Sequence, residues 1–259
     1  MSTGRLVAAL VVAAPAAAVA VVLLYLPLWA GPLRVARAAA SSEALFAVKL
    51  SLVTATASSF LAVAAAVPAA YALSRGLVPW GRLLETLLLV PFGMPPVAVG
   101  ASLLVFLTGP GRWLDETILH AVFTPRGLVV AQFAVVYPIA VRVLKTGFDA
   151  VSPEYEAVAR TLGYSWLGAF TRVTLPMARR GLLTALLLCF TRSLGEFGAS
   201  VMLAGAYPFR TETLPIAIYL AIGGGSIALA VSLIAVSGLV AAAGVAGLLY
   251  LEEAREERG

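Results

Sequence analysis

The sequence predicts an all-α membrane protein, and its composition and hydropathy patterning support this fold class. Hydrophobic residues make up 61% of the 259 residues, charged residues only 12%, and the mean hydropathy is +0.97. A soluble domain of this size needs more charged surface, so the bilayer is the expected solvent. Lipid offers no hydrogen bonds to the backbone, which leaves helices or a closed barrel. The apolar runs are long and lack strict alternation, which favours helices.

Six apolar runs are long enough to cross a bilayer as helices, and the whole chain, 1–259, is predicted to form a single transmembrane domain. The first run follows Arg5 and is rich in Ala, as in a signal peptide, but it is longer than the apolar part of such a peptide. We therefore predict a membrane span there as well. The six predicted spans are Leu6–Leu28, Val48–Ser74, Leu83–Leu107, Gly127–Leu144, Leu182–Leu203 and Ile227–Leu251.

Prolines interrupt the third predicted span. Pro91, Pro95 and Pro96 lie within it, and each removes a backbone hydrogen-bond donor. A broken helix at membrane depth is tolerated where it faces protein or a water-filled cavity. Pro91 and Pro95 are therefore candidates for the lining of a translocation path, and a purely structural kink is the alternative.

The distribution of Lys and Arg residues predicts the orientation of the chain. If both termini are cytoplasmic, most of the Lys and Arg residues between the spans face the cytoplasm, in agreement with the positive-inside rule. This orientation places residues 145–181 in the cytoplasm. The net charge of +5 is dispersed over loops on both sides, which argues against a nucleic-acid-binding surface.

Residues 152–176 form an amphipathic, charged insert in an otherwise apolar chain. Ser152 can cap a helix that begins with Pro153, where the missing N–H costs nothing. Gly163 is expected to end this helix, and Ser165 can cap a second one. Such an element in the longest polar loop of a membrane protein predicts a docking site for a soluble partner. The apolar face of the first helix comprises Tyr155, Val158, Ala159 and Leu162, and the opposite face carries Glu156 and Arg160.

This insert resembles the coupling loop, often called the EAA loop, of prokaryotic ABC importer permeases. That loop has the form E-A-A, three residues, Gly, nine residues, a β-branched residue, one residue and Leu-Pro. Here Gly163 is followed by nine residues and then by Val173–Pro176. The start departs from the pattern, because Ala157, Val158 and Ala159 hold the three positions and the acid stands one place earlier, at Glu156.

The resemblance implies the fold of an ABC importer permease and a mechanical role for the loop. The loop is expected to sit in a groove of a separate ATP-hydrolysing subunit, which binds ATP and Mg, so that this chain needs no cofactor and is not an enzyme. The sequence contains no phosphate loop of the G-x-x-x-x-G-K-[ST] type. The residues expected to contact the ATPase subunit are Tyr155, Glu156, Ala157, Val158, Ala159, Arg160, Leu162, Gly163 and Tyr164, with Glu156 and Arg160 as rim charges.

A second informative segment, residues 192–200, lies in the fifth predicted span. Arg192 and Glu196 stand four residues apart and can pair on one helical face, although each charge at bilayer depth costs about 2.5–3.5 kcal/mol. Two interpretations remain open: the pair fixes helix packing, or it lines the path and Arg192 lends positive potential to an anion. Small residues in the segment allow close approach of another helix or of a second copy. They are Gly195, Gly198, Ala199 and Ser200.

The block from Arg192 to Ala199, with the later run Thr211–Tyr219, is similar to the permease of molybdate and tungstate ABC importers. Sulfate and thiosulfate permeases carry a similar R-x-x-G-E-F-G block and are the alternative. The resemblance implies a homodimer in the cell membrane of a prokaryote, an ABC ATPase dimer as partner, and an extracytoplasmic oxyanion-binding protein that delivers the substrate. Transport is expected to proceed by alternating access.

Other classes of function have less support in the sequence. An ion-coupled secondary transporter usually shows unpaired intramembrane acids and inverted repeats, whereas Glu196 has Arg192 to pair with. A membrane enzyme or scaffold predicts catalytic clusters or long polar domains, and the sequence has neither. His120 is the only histidine and Cys189 the only cysteine, so neither a metal site nor a disulfide is predicted.

Overall fold

The structure, a computed structural model, describes residues 31–256 and scattered helical positions between 11 and 29. The described part is built from helices, and two short helical turns, Arg112–Leu114 and Asp115–Leu119, connect the fourth helix to the fifth. The helices are α1 (Pro32–Ala39), α2 (Ser42–Ser74), α3 (Gly81–Gly93), α4 (Pro96–Thr108), α5 (Pro125–Asp149), α6 (Pro153–Thr161), α7 (Trp166–Met177), α8 (Arg179–Leu194), α9 (Gly198–Ala204), α10 (Leu214–Gly223) and α11 (Ile227–Glu256).

Within the described residues, three helices are long and apolar enough to cross a membrane: α2, α5 and the part of α11 over Ile227–Gly244. Two further candidates are bent pairs, α3 with α4 and α7 with α8. The first predicted span, Leu6–Leu28, lies largely outside the described residues. The second and fourth predicted spans correspond to α2 and α5, which extend beyond the predicted bounds.

The third predicted span is two helices, as its prolines indicated. The axes of α3 and α4 meet at 108°, and the break falls at Met94 and Pro95, between the end of α3 and the start of α4. Pro91 lies inside α3 without ending it. Pro96 begins α4, a position in which a missing N–H and a fixed φ cost little.

The fifth predicted span, a single helix over Leu182–Leu203, is wrong as a continuous element. The structure has α8 up to Leu194 and α9 from Gly198. The physical reason is a local hydrogen bond, because the Glu196 carboxylate accepts the backbone N–H of Ala199 at 2.8 Å. A side chain that caps the first turn of a helix satisfies a donor that a continuous helix would pair with its own backbone.

Small residues bring the central helices together. Ala62, Ala66 and Ala70 of α2 are fully buried beside Ala140 of α5 and Ala185 of α8. Helices in lipid associate through close packing, for which alanine and glycine are the favoured residues. The α2–α5–α8 group is therefore the compact centre against which the other helices lie.

The two helix breaks lie against each other. A side chain at Gly100 of α4 would place its Cβ 2.6 Å from Cα of Ala199 in α9, and one at Gly198 would approach the backbone N of Val97 to 2.9 Å. Neither position tolerates a Cβ without a shift of the backbone. The start of α4 and the start of α9 thus pack backbone to backbone.

The Gly100→Ala variant tests this contact. We expect destabilisation of about 1–3 kcal/mol, because the added methyl group overlaps the α9 backbone. The readout is the thermal unfolding temperature of the purified protein in detergent. Gly93→Ala is the matched control, since nothing lies within 4 Å of a Cβ at that position. Equal melting temperatures for the two variants would contradict the packing described for α4 and α9.

Candidate functional site

The predicted loop forms two helices separated by glycine. The Ser152 hydroxyl accepts the N–H of Glu154 at 3.3 Å, and Pro153 begins α6. Gly163 has φ of 92°, in the left-handed region that glycine adopts without strain. The Ser165 hydroxyl accepts the N–H of Gly168 at 3.1 Å and so caps α7. The local geometry of the segment therefore follows the sequence signals closely.

Large apolar side chains of this segment point away from the rest of the chain. Leu162 is 75% exposed and Val158 is 58% exposed. Ala157 and Arg160 are also exposed, whereas Ala159 is buried. We call the exposed set the apolar patch; it consists of Tyr155, Val158, Leu162, Tyr164, Trp166 and Leu167.

Glu156 does not lie at the rim of this patch, and the expectation of a rim charge is wrong. Its side chain is only 12% exposed and pairs with Arg75, whose Nη2 lies 2.7 Å from Oε1 of Glu156. Residues three apart share a helical face, so Glu156 lies on the same face as buried Ala159. Glu156 is thus turned toward the membrane helices, whereas Arg160, the other charge of the expected polar face, is exposed.

The Glu156 carboxylate joins three elements. The Tyr71 hydroxyl of α2 donates to Oε2 at 2.6 Å, and the Thr174 hydroxyl of α7 donates to Oε1 at 2.8 Å. The Arg75 guanidinium, directly after α2, adds a second hydrogen bond through Nε at 2.8 Å. We call these four residues the Glu156 cluster.

Arg75 extends the cluster to a fourth element. Its Nη1 donates to the carbonyl oxygen of Phe148 at 3.2 Å and its Nη2 to that of Val151 at 3.1 Å. Phe148 lies in the last turn of α5 and Val151 two residues beyond the helix. The guanidinium therefore satisfies one carboxylate and two carbonyls, which its rigid fork of donors allows.

Aromatic rings cover the cluster on the loop side. The ring of Tyr71 lies 4.6 Å from that of Phe170, 5.6 Å from that of Trp166 and 5.9 Å from that of Phe148, measured between centroids. These edge-on contacts bury the Tyr71 ring, which is only 3% exposed. A low local dielectric strengthens the hydrogen bonds that are made and raises the cost of losing one.

The pKa of Glu156 is lower than usual for a glutamate. Burial alone raises the pKa of this carboxyl, but hydrogen bonds from Tyr71, Thr174 and Arg75, together with the charge of Arg75, outweigh burial and lower it. The carboxylate is therefore ionised at neutral pH.

The intramembrane pair predicted from the sequence is present. Arg192 Nη1 lies 2.7 Å from Oε2 of Glu196, whose side chain is 1% exposed. The other Glu196 oxygen caps α9, so both oxygens of the carboxylate are engaged. Arg192 remains 36% exposed. Gly195 lies in the break and is exposed, whereas Ser200 is buried in α9.

Sequence reasoning missed a row of buried polar side chains between α2, α5 and α8. Gln132 Nε2 donates to Oγ1 of Thr54 at 3.3 Å and to the carbonyl of Ser193 at 3.2 Å, and the Ser58 hydroxyl lies 3.1 Å from that of Ser193. The available signal was Gln132 itself, the single glutamine of the chain, within an apolar span. A polar amide in lipid needs partners on neighbouring helices.

The sequence matches the model of one family of membrane transport proteins over most of its length. The model of the binding-protein-dependent transport system inner membrane component matches residues 62–250. The chain belongs to this family. It is therefore a multi-pass membrane protein of the transport-permease type, and the matched region includes the loop and both helix breaks.

Among individual relatives of the chain are permeases named for molybdenum and for sulfate transport. A probable molybdenum ABC transporter permease of Haloferax volcanii is 42% identical over 172 residues, which are 65% of this chain and 61% of that protein. The molybdenum transport system permease protein of Mycobacterium tuberculosis is 39% identical over 178 residues, 67% of each chain. The sulfate transport system permease protein of Escherichia coli is 35% identical over 153 residues, 58% of this chain and 55% of that protein. The chain thus spans less than two thirds of the Haloferax protein.

A solved structure has a similar fold. The crystal structure of a bacterial alginate ABC transporter, in complex with an alginate-pentasaccharide-bound periplasmic protein, includes a chain that matches with a TM-score of 0.64. The match covers 80% of this chain and 77% of that chain at 17% identity. At this identity the likeness concerns the fold alone.

The Glu156→Gln variant tests the buried ion pair. We expect a loss of stability of about 3 kcal/mol at neutral pH, because the substitution leaves Arg75 buried without a counter-ion. The Glu156–Arg75 pair contributes its full stabilisation at pH values above the pKa that the Glu156 carboxyl has in the unfolded chain. This contribution is lost as the pH falls through the lower pKa that the same carboxyl has in the folded chain. The difference in melting temperature between wild type and variant should therefore shrink only below the ordinary glutamate pKa.

Glu154→Gln is the matched control for this experiment, because Glu154 lies on the exposed side of the same helix and its substitution should change stability by less than about 0.5 kcal/mol. Thermal unfolding in detergent across a pH series measures both variants. A wild-type advantage that is equal at acid and neutral pH would contradict the lowered pKa of Glu156.

Proposed function

We propose that this chain is the membrane-spanning subunit of an ATP-driven importer that moves an oxyanion, molybdate or tungstate, into the cytoplasm. The observation that carries the proposal is the loop of α6 and α7, which exposes an apolar patch while a buried ion pair fixes its inner side. A patch of large apolar residues rimmed by polar ones is a typical protein interaction surface. Membership of the transport-component family supports this function.

The proposed partner at the patch is an ABC ATPase subunit, which binds ATP and Mg in place of this chain. Aromatic side chains at the centre of an interface often provide much of its binding energy, and a large aliphatic side chain adds buried apolar area beside them. Tyr155, Leu162 and Trp166 are the anchors that we assign to this role. Glu156 is a positioning residue, because it holds α6 against the membrane helices and faces away from the partner.

We infer six spans with both termini in the cytoplasm of a prokaryotic cell. The three long helices, the bent pair of α3 and α4, and the pair of α8 and α9 account for five of them, and the run Leu6–Leu28 accounts for the first. We also propose a homodimer, in which two copies of the chain enclose the path between them. The outer segments between α4 and α5 and before α10 then face an oxyanion-binding protein outside the cell.

The proposed transport cycle uses the loop as the mechanical link. Closure of the ATPase dimer brings the two loops together and opens the outer side to the loaded binding protein, and ATP hydrolysis returns the path to its inward-open state. Pro95 and Gly198 lie where the two helix breaks meet, which makes the breaks our candidates for the moving part of the path. Pro91, Arg192, Gly195, Glu196 and Ser200 flank them.

Molybdate or tungstate is the favoured substrate and sulfate the second candidate. The Haloferax and Mycobacterium proteins are named for molybdenum transport and have the higher identities, while the sulfate permease of Escherichia coli follows at 35%. An ion-coupled transporter is a weaker alternative, because both oxygens of Glu196 are engaged and leave little capacity for a coupling ion.

The Leu162→Glu variant tests the docking surface. A buried charge without a partner is costly at an interface, so we expect the affinity for the ATPase subunit to fall at least about tenfold. Co-purification of the two subunits and ATPase activity in liposomes provide the readouts. Ile118→Glu is the control for co-purification, because Ile118 is 62% exposed beside the opposite end of α5. Normal assembly of the Leu162→Glu variant would refute the assignment of the patch.

A reconstituted complex also tests the substrate. We expect ATPase activity in liposomes to rise when a binding protein loaded with molybdate or tungstate is supplied, because the loaded protein favours the outward-open state of the permease. The same binding protein without its anion is the control. Stimulation by a sulfate-loaded binding protein alone would replace molybdate by sulfate as the substrate and leave the importer function unchanged.

A further inference from the structure

Two connections between helices meet beyond the end of α5 that lies opposite the α6–α7 loop. One joins α4 to α5 and contains Phe123, and the other joins α9 to α10 and contains Tyr207. The backbone N–H of Phe123 donates to the carbonyl of Leu203, near the end of α9, at 3.0 Å. The rings of Phe123 and Tyr207 lie edge-on with their centroids 6.4 Å apart. The two connections therefore form one continuous surface.

The connection between α9 and α10 changes abruptly from exposed to buried residues. Residues 207–210 are all exposed, whereas residues 211–214 are all buried. Tyr207 is 43% exposed and Phe209 is 55% exposed, and Phe123 of the other connection is 42% exposed. Three aromatic side chains thus face outward beside a base of buried residues.

Polar side chains of the buried base hold the exposed residues in place. The Glu212 carboxylate accepts the backbone N–H of Phe209 at 2.9 Å through Oε2. The Thr211 hydroxyl accepts the backbone N–H of Tyr207 at 3.1 Å and donates to the carbonyl of Gly205 at 3.0 Å. The backbone that carries the exposed aromatic residues is therefore fixed from below by two buried side chains.

The helix α2 supports the same base. The Ser51 hydroxyl accepts the backbone N–H of Leu214 at 2.7 Å, which fastens the end of the buried run to α2. The ring of Phe46, also on α2, lies 5.7 Å from the ring of Phe209, measured between centroids. The connection is thus attached to a long membrane helix at its base and at one of its exposed rings.

Phe123 and Phe209 have an unusual backbone conformation. Both have φ of 54°, in the left-handed region that a residue with a bulky side chain rarely adopts. Such conformations persist only where the surroundings fix them, and they cluster at binding and switch regions. Here the carbonyl of Leu203 and the carboxylate of Glu212 accept the two backbone N–H groups. Both rings are therefore set in one direction before any partner binds.

The exposed surface is basic as well as aromatic. The Arg210 guanidinium lies 5.9 Å from the centroid of the Tyr207 ring, within the range of a cation–π contact. Arg126, at the start of α5, is also exposed. In the part of the chain that the structure describes, neither arginine has a carboxylate within 4.0 Å. Tyrosine, phenylalanine and arginine are enriched at the centres of protein interfaces, and the two arginines favour a partner with an acidic rim.

We propose that Phe123, Tyr207, Phe209 and Arg210 form an outer aromatic surface that enters an apolar, acid-rimmed pocket of the extracytoplasmic oxyanion-binding protein. Glu212 is the positioning residue of this surface, because it fixes Phe209 without being exposed itself. The proposal rests on the importer function proposed above and adds to it the side chains that receive the binding protein. The family to which the chain belongs is described as binding-protein-dependent. A rigid protein pocket gains affinity from rings that are already fixed, since less conformational freedom is lost on binding, whereas a fluid lipid surface has no such need of fixed rings.

The ATPase activity of the full complex in liposomes, measured against the concentration of a molybdate-loaded binding protein, tests the surface. For the double variant Tyr207→Ala/Phe209→Ala we expect the half-saturating concentration of the binding protein to rise at least about tenfold, because aromatic anchors carry much of the binding energy of an interface. The activity without binding protein should stay unchanged. Leu45→Ala is the matched control, since Leu45 is similarly exposed near the same end of α2 but lies outside the surface.

Two further variants test the positioning residue and the charge. Glu212→Ala should raise the half-saturating concentration about fivefold at an unchanged maximal rate. Glu212→Gln should restore it, because the amide oxygen still accepts the backbone N–H of Phe209. Arg210→Gln should weaken the dependence of the half-saturating concentration on ionic strength, since it removes a charge that faces the acidic rim.

The outcomes separate this proposal from the importer function on which it rests. If the wild-type complex responds to the binding protein and Tyr207→Ala/Phe209→Ala leaves the half-saturating concentration unchanged, the surface is wrong and the importer function stands. Dissociation of the homodimer by the same variant, measured by native mass spectrometry, would assign the surface to a second copy and would also overturn the proposal. If no loaded binding protein changes the activity of the wild-type complex, the importer function and the surface are both wrong.

Discussion

The ion pair between Glu156 and Arg75 is the interaction on which the orientation of the loop depends. Two charges that are 12% and 8% exposed must be paired and hydrogen-bonded to be tolerated. The network that meets this demand ties α2, α6 and α7 to a single carboxylate, and Arg75 ties α5 to the same network. Because Glu156 faces the membrane helices, Tyr155 and Val158 on other sides of α6 are exposed. The direction in which the apolar patch points is therefore a consequence of a buried charge.

Backbone hydrogen bonding in lipid imposes the second constraint. A helix can break at membrane depth only where other groups replace the lost hydrogen bonds. At the break after α8, the Glu196 carboxylate accepts the backbone N–H of Ala199, and Arg192 pairs with that carboxylate. At the break before α4, proline has no N–H to satisfy. Glycine at positions 100 and 198 then lets the two interrupted helices meet without an intervening side chain.

These two regions are connected through α7 and α8. The loop helix α7 turns into α8 at 69°, and α8 ends at the break occupied by Glu196. Thr174 of α7 donates to Glu156, while Ser193 near the end of α8 accepts from Gln132. The loop and the break are thus joined by α8, with polar contacts in α7 before it and near its own end.

The sequence by itself determined the fold class, the loop and the existence of the intramembrane pair, because hydropathy, capping residues and four-residue spacing are local properties. It also predicted an interruption near Pro95, since proline acts on its own helix. Only the tertiary structure decided which way Glu156 faces, because Arg75 is 81 residues away and no local pattern links the two. The break after Leu194 likewise depended on whether the Glu196 carboxylate would cap a helix or only pair with Arg192. The row around Gln132 joins three separate helices. Contacts between segments that are far apart in the sequence are set by tertiary packing, so a local sequence pattern does not predict them.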